Sequence, residues 1–118
     1  MATVVSVRKA ELKKRDIADF AEWDARDDTV YIARRVKYVE DTYNSPWSNP
    51  YPLFRYSRED SIKMYELHIR ERLAIGDLDL DDLEGKELGC WCYPKPCHGD
   101  VLLKLLEERT EPKAKRSK

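Results

Sequence analysis

The stretch GCWCYPKPCHGDV, residues 89–101, contains the strongest fold signal in this chain. It has the pattern of a strand end, a proline-bearing turn and a helix start, the kind of junction where α/β proteins place their binding sites. All three cysteines of the chain and one of its two histidines lie here, so four soft ligand atoms fall within nine residues. The stretch therefore predicts an α/β fold with a site at this junction.

The segments that precede this stretch extend the same alternation. Short runs rich in β-branched residues predict two earlier strands, at 3–7 and 29–33, and a third strand covers 86–91. Apolar residues at helical spacing predict three helices, at 17–26, 57–76 and 99–109. Residues 36–42 are ambiguous and allow a further irregular strand, whereas the proline-rich segment 43–54 is a loop. Strands that alternate with helices favour a small three-to-four-stranded, mostly parallel sheet covered by helices, a Rossmann-like arrangement.

Length and composition limit the classes of protein that this chain can represent. Its 118 residues suit one domain, for which we predict residues 1–109, followed by a disordered basic tail over 110–118. The net charge of −1 creates no overall field toward nucleic acid or anionic lipid, so such an attraction needs a local patch. No apolar run approaches the roughly 20 residues of a membrane span. An odd cysteine count without a secretory signal predicts a reducing, cytoplasmic location, and the basic tail leaves a nuclear address open.

Charged and soft side chains follow each predicted strand. Arg8 follows the first strand and Arg34 the second, while Cys90 and Cys92 lie at the end of the third. Parallel strands end at a common edge, and the last helix would point its N-terminus toward that edge, where its dipole favours an anion. We therefore expect a ligand site at the carboxyl edge of the sheet.

The cysteine–histidine cluster admits three interpretations. Cys90, Cys92, Cys97 and His98 could together complete a tetrahedral zinc shell with a mostly structural role, although their C-x-C-x4-C-H spacing differs from that of common zinc fingers. Alternatively, Cys97 is a reactive thiol just before a helix N-terminus, with Asp100 as an acid or base. In the third interpretation, the cysteines are small core residues and Asp100 caps the helix.

The loop SPWSNP, residues 45–50, combines a flat indole ring with short polar groups on a stiff backbone. Such a loop can stack a base or sugar on Trp47 and bind its edge through Asn49, while Arg34 holds a phosphate. The alternative is that Trp47 fixes a long loop to the core. Both interpretations stay open from the sequence.

Three stretches together resemble an uncharacterised domain family of bacteria, phages and large DNA viruses that has a Cys-His-Gly-Asp-Val signature. They are VYIAR at 30–34, SPWSNPY at 45–51, and the segment from Leu88 to Leu102 that contains CHGDV. The chain departs from the family pattern at Ala33, where Gly is usual, and in the longer connection at 35–44. The resemblance implies a shared site but no reaction, and it implies a phage or viral origin. The implied site residues are Arg34, Trp47, Asn49, Cys90, Cys92, Cys97, His98 and Asp100.

We therefore predict a small intracellular α/β domain with a zinc-binding Cys/His site. A pocket for a nucleotide or a nucleic-acid fragment would be flanked by Arg8, Arg34, Trp47 and Asn49. We expect no membrane partner. One alternative is a nucleotide- or base-processing enzyme that uses Cys97 or Asp100. Another is a structural or interaction protein, such as a minor virion component, which would place the chain in a virion or in the host cytoplasm.

Overall fold

A computed structural model describes residues 2–92 and 95–110 of the chain. Within these residues, a three-stranded sheet is covered by helices, in agreement with the predicted small α/β fold. The strands are β1 (Thr3–Ser6), β2 (Thr29–Tyr31) and β3 (Glu87–Cys90). The helices are α1 (Lys9–Lys13), α2 (Phe20–Asp24), α3 (Arg58–Ala74) and α4 (His98–Thr110), and a 3-10 turn covers Leu80–Asp82.

The sheet has the strand order β1-β3-β2, and both pairings are parallel. Leu88 in the central strand pairs with Val4 on one side and with Val30 on the other. Because successive side chains of a strand point to opposite faces, the sheet divides the core in two. Val4, Leu88 and Cys90 belong to the core half shared with α3 and α4. All three strands therefore end at one edge, beside the start of α4.

The second core half lies on the opposite face of the sheet, against α1 and α2. Phe20 and Trp23 of α2 are buried there with Tyr31 of β2. Gly89 allows this contact, because a Cβ atom built at that position would lie 2.3 Å from Cη2 of Trp23. Gly99 has the same role on the other face, where a Cβ would lie 2.9 Å from Cγ2 of Val4. The two glycines let a ring and a helix approach the sheet closely.

Local capping signals set the start and end of α3. The Ser57 hydroxyl accepts a hydrogen bond from the Asp60 amide, which satisfies one of the free N–H groups at the helix start. The helix ends before Gly76, whose φ of +88° lies in the left-handed region that glycine adopts readily. Tyr65 and Ile69 are fully buried on its inner face. This helix matches its prediction within two residues at each end.

Other elements differ from their predictions. Helix α1 was not predicted, and α2 is shorter than the expected 17–26. Residues 36–42 form turns instead of a strand, because the Thr42 hydroxyl bonds the main chain of Val36 and Val39 and folds the segment on itself. The predicted tail lies outside the described residues from 111 onward, as do Tyr93 and Pro94 of the predicted turn. None of the described helices is long and apolar enough to cross a lipid bilayer.

Candidate functional site

A cavity of about 170 Å³ opens at the carboxyl edge of the sheet. Its walls come from the residues after β2, the proline-rich loop, the first turns of α3 and the segment that leads into α4. Five of the side chains expected at a shared site line it. They are Arg34, Asn49, Cys92, Cys97 and His98. The structure thus brings residues from four separate parts of the sequence to one place.

Two expected ligand residues lie elsewhere. The Nε of Arg8 donates a 3.0 Å hydrogen bond to the Trp91 carbonyl, and Arg8 is not part of the cavity wall. Trp47 is 4% exposed and packs in the core between the sheet and α3. Its carbonyl accepts a 2.6 Å bond from the buried Tyr65 hydroxyl. In this conformation the indole fixes the loop to the core and offers no open face for stacking.

Asn49 holds the loop over the cavity. Its Nδ2 donates to the Ser61 hydroxyl over 2.9 Å, and its Oδ1 accepts from the Tyr51 amide at 2.9 Å. The Ser61 hydroxyl in turn donates to the Tyr51 carbonyl over 2.6 Å. This closed set of bonds satisfies the polar groups between the loop and α3, so the amide positions the cavity wall.

Arg58 is a cavity residue that sequence reasoning missed. It is the first residue of α3, and its Nη1 donates a 2.8 Å hydrogen bond to the Pro96 carbonyl. The sequence did contain a signal for the position of Arg58, because the Ser57 cap sets the start of α3 directly after the proline-rich loop. The first turn of α3 must therefore lie close to that loop. Arg58 and Arg34 line the cavity from different elements.

His98 fastens the start of α4 to the end of β2. Its Nε2 lies 2.6 Å from the Ile32 carbonyl oxygen, so this nitrogen carries the proton and donates. Burial lowers the pKa of His98; the bond to Ile32 acts in the opposite direction, and the nearby Arg34 charge lowers it further. The imidazole is therefore neutral at pH 7, and its ring edge packs against Tyr65.

The cysteines form a compact group next to this histidine. Sγ of Cys90 lies 3.3 Å from Sγ of Cys97, and the Gly99 amide donates to the Cys97 sulfur over 3.3 Å. The hydrogen bond with Cys90 and burial raise the pKa of the Cys97 thiol, which opposes the thiolate that a helix N-terminus alone would favour. Cys92 is half-buried and borders the cavity. No disulfide bond joins any two of the three cysteines in this structure.

The predicted zinc ligands do not converge on one point in this arrangement. The Nε2 atom of His98 is engaged by the Ile32 carbonyl oxygen, which leaves Nδ1 as its unprotonated ring nitrogen. Over the described ranges 2–92 and 95–110, no group of three or more His, Cys, Asp or Glu side chains is placed to hold a metal ion.

Asp100 caps α4. Its Oδ2 accepts a 3.1 Å hydrogen bond from the Cys97 amide, and the side chain lies outside the cavity wall. Together with the bond from Gly99 to the Cys97 sulfur, this satisfies two of the free N–H groups at the helix start. The arrangement matches the capping interpretation of Asp100.

Comparisons with known proteins agree with the resemblance noted from the signature. Residues 16–108 match the family described as "Domain of unknown function (DUF4326)". A protein of Enterobacteria phage T4, "Uncharacterized 12.4 kDa protein in nrdA-td intergenic region", is 35% identical over 63 residues. That match covers 51% of this chain and 58% of the phage protein. No solved structure matches the chain. Since the family match extends over most of its length, the chain belongs to the DUF4326 family.

Proposed function

We propose that the cavity binds a phosphorylated ligand of the nucleotide class. The observation that carries this proposal is the charge of the cavity wall. Among its described lining residues are two arginines and no carboxylate, although the whole chain has a net charge of −1. Since His98 is neutral, the two guanidinium groups are the source of local charge, and guanidinium is well matched to phosphate oxygens.

The availability of Arg34 supports this assignment. Its side chain is exposed, and within the described part of the chain no hydrogen bond or ion pair engages it. Arg58 keeps further N–H donors, since its bond to the Pro96 carbonyl uses only Nη1. A phosphate at the mouth of the cavity could therefore receive bonds from both arginines.

The rest of the wall suits the organic part of a nucleotide. Apolar and thiol side chains predominate there, including Ala33, Ile62 and Cys92. The volume of about 170 Å³ is below the ~300 Å³ at which typical ligand pockets begin, so the cavity encloses only part of a nucleotide. A neighbouring groove of about 470 Å³ shares Arg58, Ile62 and Pro96 and adds one acidic and one basic residue, Glu59 and Lys63. The continuous surface has room for a second phosphate or a following nucleotide.

Calorimetric titration tests the proposal with four probes: inorganic phosphate, a nucleoside, the corresponding nucleoside monophosphate and a short single-stranded oligonucleotide. We expect saturable binding of the monophosphate that weakens as salt concentration rises. Arg34→Gln and Arg58→Gln should each weaken it about tenfold or more, because a charge-assisted hydrogen bond contributes about 1.5–3 kcal/mol. Tighter binding of the oligonucleotide would identify the groove as part of the same site.

Arg35→Gln and Arg55→Gln are matched controls. Both arginines are exposed neighbours of the cavity arginines in sequence, and neither lines the cavity. Each control removes one positive charge without changing the wall. The proposal fails if no phosphorylated probe binds, or if the controls weaken binding as much as the cavity variants do.

Zinc stays a prediction from the sequence. Elemental analysis of purified protein tests it, with one zinc per chain that is lost in Cys90→Ser as the supporting result. The phosphate-binding proposal does not depend on that outcome, since neither Arg34 nor Arg58 belongs to the cysteine group.

A further inference from the structure

We propose that Cys90 and Cys97 form a redox-active dithiol, which closes to a disulfide in the folded protein by exchange with a low-molecular-weight disulfide. Their sulfur atoms are 3.3 Å apart, and a disulfide bond is about 2.05 Å long. The sulfurs therefore need to approach by only about 1.3 Å. The inference does not depend on the nature of the ligand in the neighbouring cavity.

The backbone at the two positions makes this small movement feasible. Cys90 is the last residue of the central strand and pairs with Ser6 of β1, so its position is fixed by the sheet. Cys97 lies outside the helices and strands, directly before the start of α4. A small adjustment of the segment before α4 can therefore bring Cys97 to Cys90 without disturbing the sheet.

Access to this buried pair is through Cys92. Cys90 and Cys97 are 0% and 3% exposed, whereas Cys92 is half-buried and lines the same cavity as Cys97. A small disulfide that enters the cavity therefore meets Cys92 first. One reachable thiol thus shares a cavity wall with Cys97, whose sulfur is already in contact with that of Cys90.

The exchange balances in three steps. The Cys92 thiolate attacks the small disulfide, releases one small thiolate and keeps the other half as a mixed disulfide. Cys97 then attacks the Cys92 sulfur, and its proton passes to the second small thiolate as that group leaves. Cys90 then attacks the Cys97 sulfur, which forms the Cys90–Cys97 bond, and its proton passes to the departing Cys92 sulfur. In total, two protein thiols lose two electrons and two protons, and the small disulfide is reduced to two thiols.

Oxidised glutathione is a suitable probe for native, full-length protein whose metal content has been measured first. We expect the mass of the wild-type protein to fall by that of two hydrogen atoms, as measured by mass spectrometry. Peptide mapping should then show a bond between Cys90 and Cys97. Cys92→Ser should reach the same product about tenfold more slowly or worse, since its remaining thiols are buried. Near-ultraviolet circular dichroism of the reduced variant checks that its packing is intact.

The double variant Cys90→Ser/Cys92→Ser is the matched control, because its single thiol can form only a mixed disulfide. Several results overturn the proposal: native wild-type thiols that stay reduced in excess oxidant, a stable mixed disulfide on wild-type protein, or a final bond between Cys92 and Cys97. One bound zinc per chain that must be chelated before any thiol reacts would also overturn it, in favour of a metal site.

Discussion

Gly89→Ala tests the close packing of α2 on the sheet. The added Cβ would lie 2.3 Å and 2.8 Å from Cη2 and Cζ2 of Trp23, and 2.6 Å from Cγ1 of Val7. Ordinary carbon contacts are about 3.5–4.0 Å, so both neighbours would have to move. The indole cannot move freely, because it is fully buried and its Nε1 donates to Glu87 over 3.0 Å. Gly89→Ala should therefore destabilise the fold.

The magnitude follows from two opposing effects. Overpacking a core costs about 1–3 kcal/mol, and three contacts below 3.0 Å place this site at the upper end. Alanine recovers about 0.5–1 kcal/mol, because glycine loses more backbone entropy in a strand. The net loss is about 2 kcal/mol, which corresponds to a melting temperature lower by about 8 °C, because a chain of 118 residues has an unfolding entropy of about 0.25 kcal/mol/K.

Urea unfolding measures this loss as a lower midpoint with an unchanged slope. Gly99→Ala is the comparison variant, because its Cβ would meet its neighbours at longer distances, 2.9 Å from Cγ2 of Val4 and 3.1 Å from Cδ1 of Ile32. It should cost less than about 1 kcal/mol, since alanine also favours the helix. Equal midpoints for Gly89→Ala and wild-type protein, or a larger loss in Gly99→Ala, would refute the packing argument.

Three further substitutions probe separate contacts. Burial raises the pKa of Glu87, but the hydrogen bonds from Arg15 and from the Trp23 indole lower it, and the net shift is downward. The contribution of the Glu87 carboxylate to stability should therefore be lost as pH falls through its folded-state pKa. Glu87→Gln should make acid unfolding curves less steep, and an unchanged curve would contradict this. Tyr65→Phe leaves the buried Trp47 carbonyl without its donor and should cost about 1–3 kcal/mol in urea unfolding. Asn49→Ala should speed amide hydrogen exchange in the loop over the cavity, because it removes the bonds that hold this loop to α3. Unchanged exchange rates would show that Asn49 does not hold the loop in place.

Patterns between near neighbours in the chain were sufficient to predict most of the fold. Short β-branched runs identified β1 and β2, the strand-turn-helix pattern of residues 89–101 located β3, and the Ser57 cap with Gly76 bounded α3. The start of α4 was visible in the CHGD pattern. These signals depend on side-chain periodicity and backbone preference, which act over a few residues. Helix α1 was not predicted because only Leu12 of its five residues is buried, so the sequence has no clear apolar face there.

The sequence alone also determined that the strand ends and soft side chains coincide at the strand-to-helix junction, where the structure has a cavity. Only the tertiary structure decided where the individual side chains lie. Trp47 is buried in the core, the Cys97 sulfur contacts that of Cys90, and both Arg58 and Arg34 line the cavity. In turns and loops, direction depends on packing against residues far away in the chain, and no local pattern carries that information.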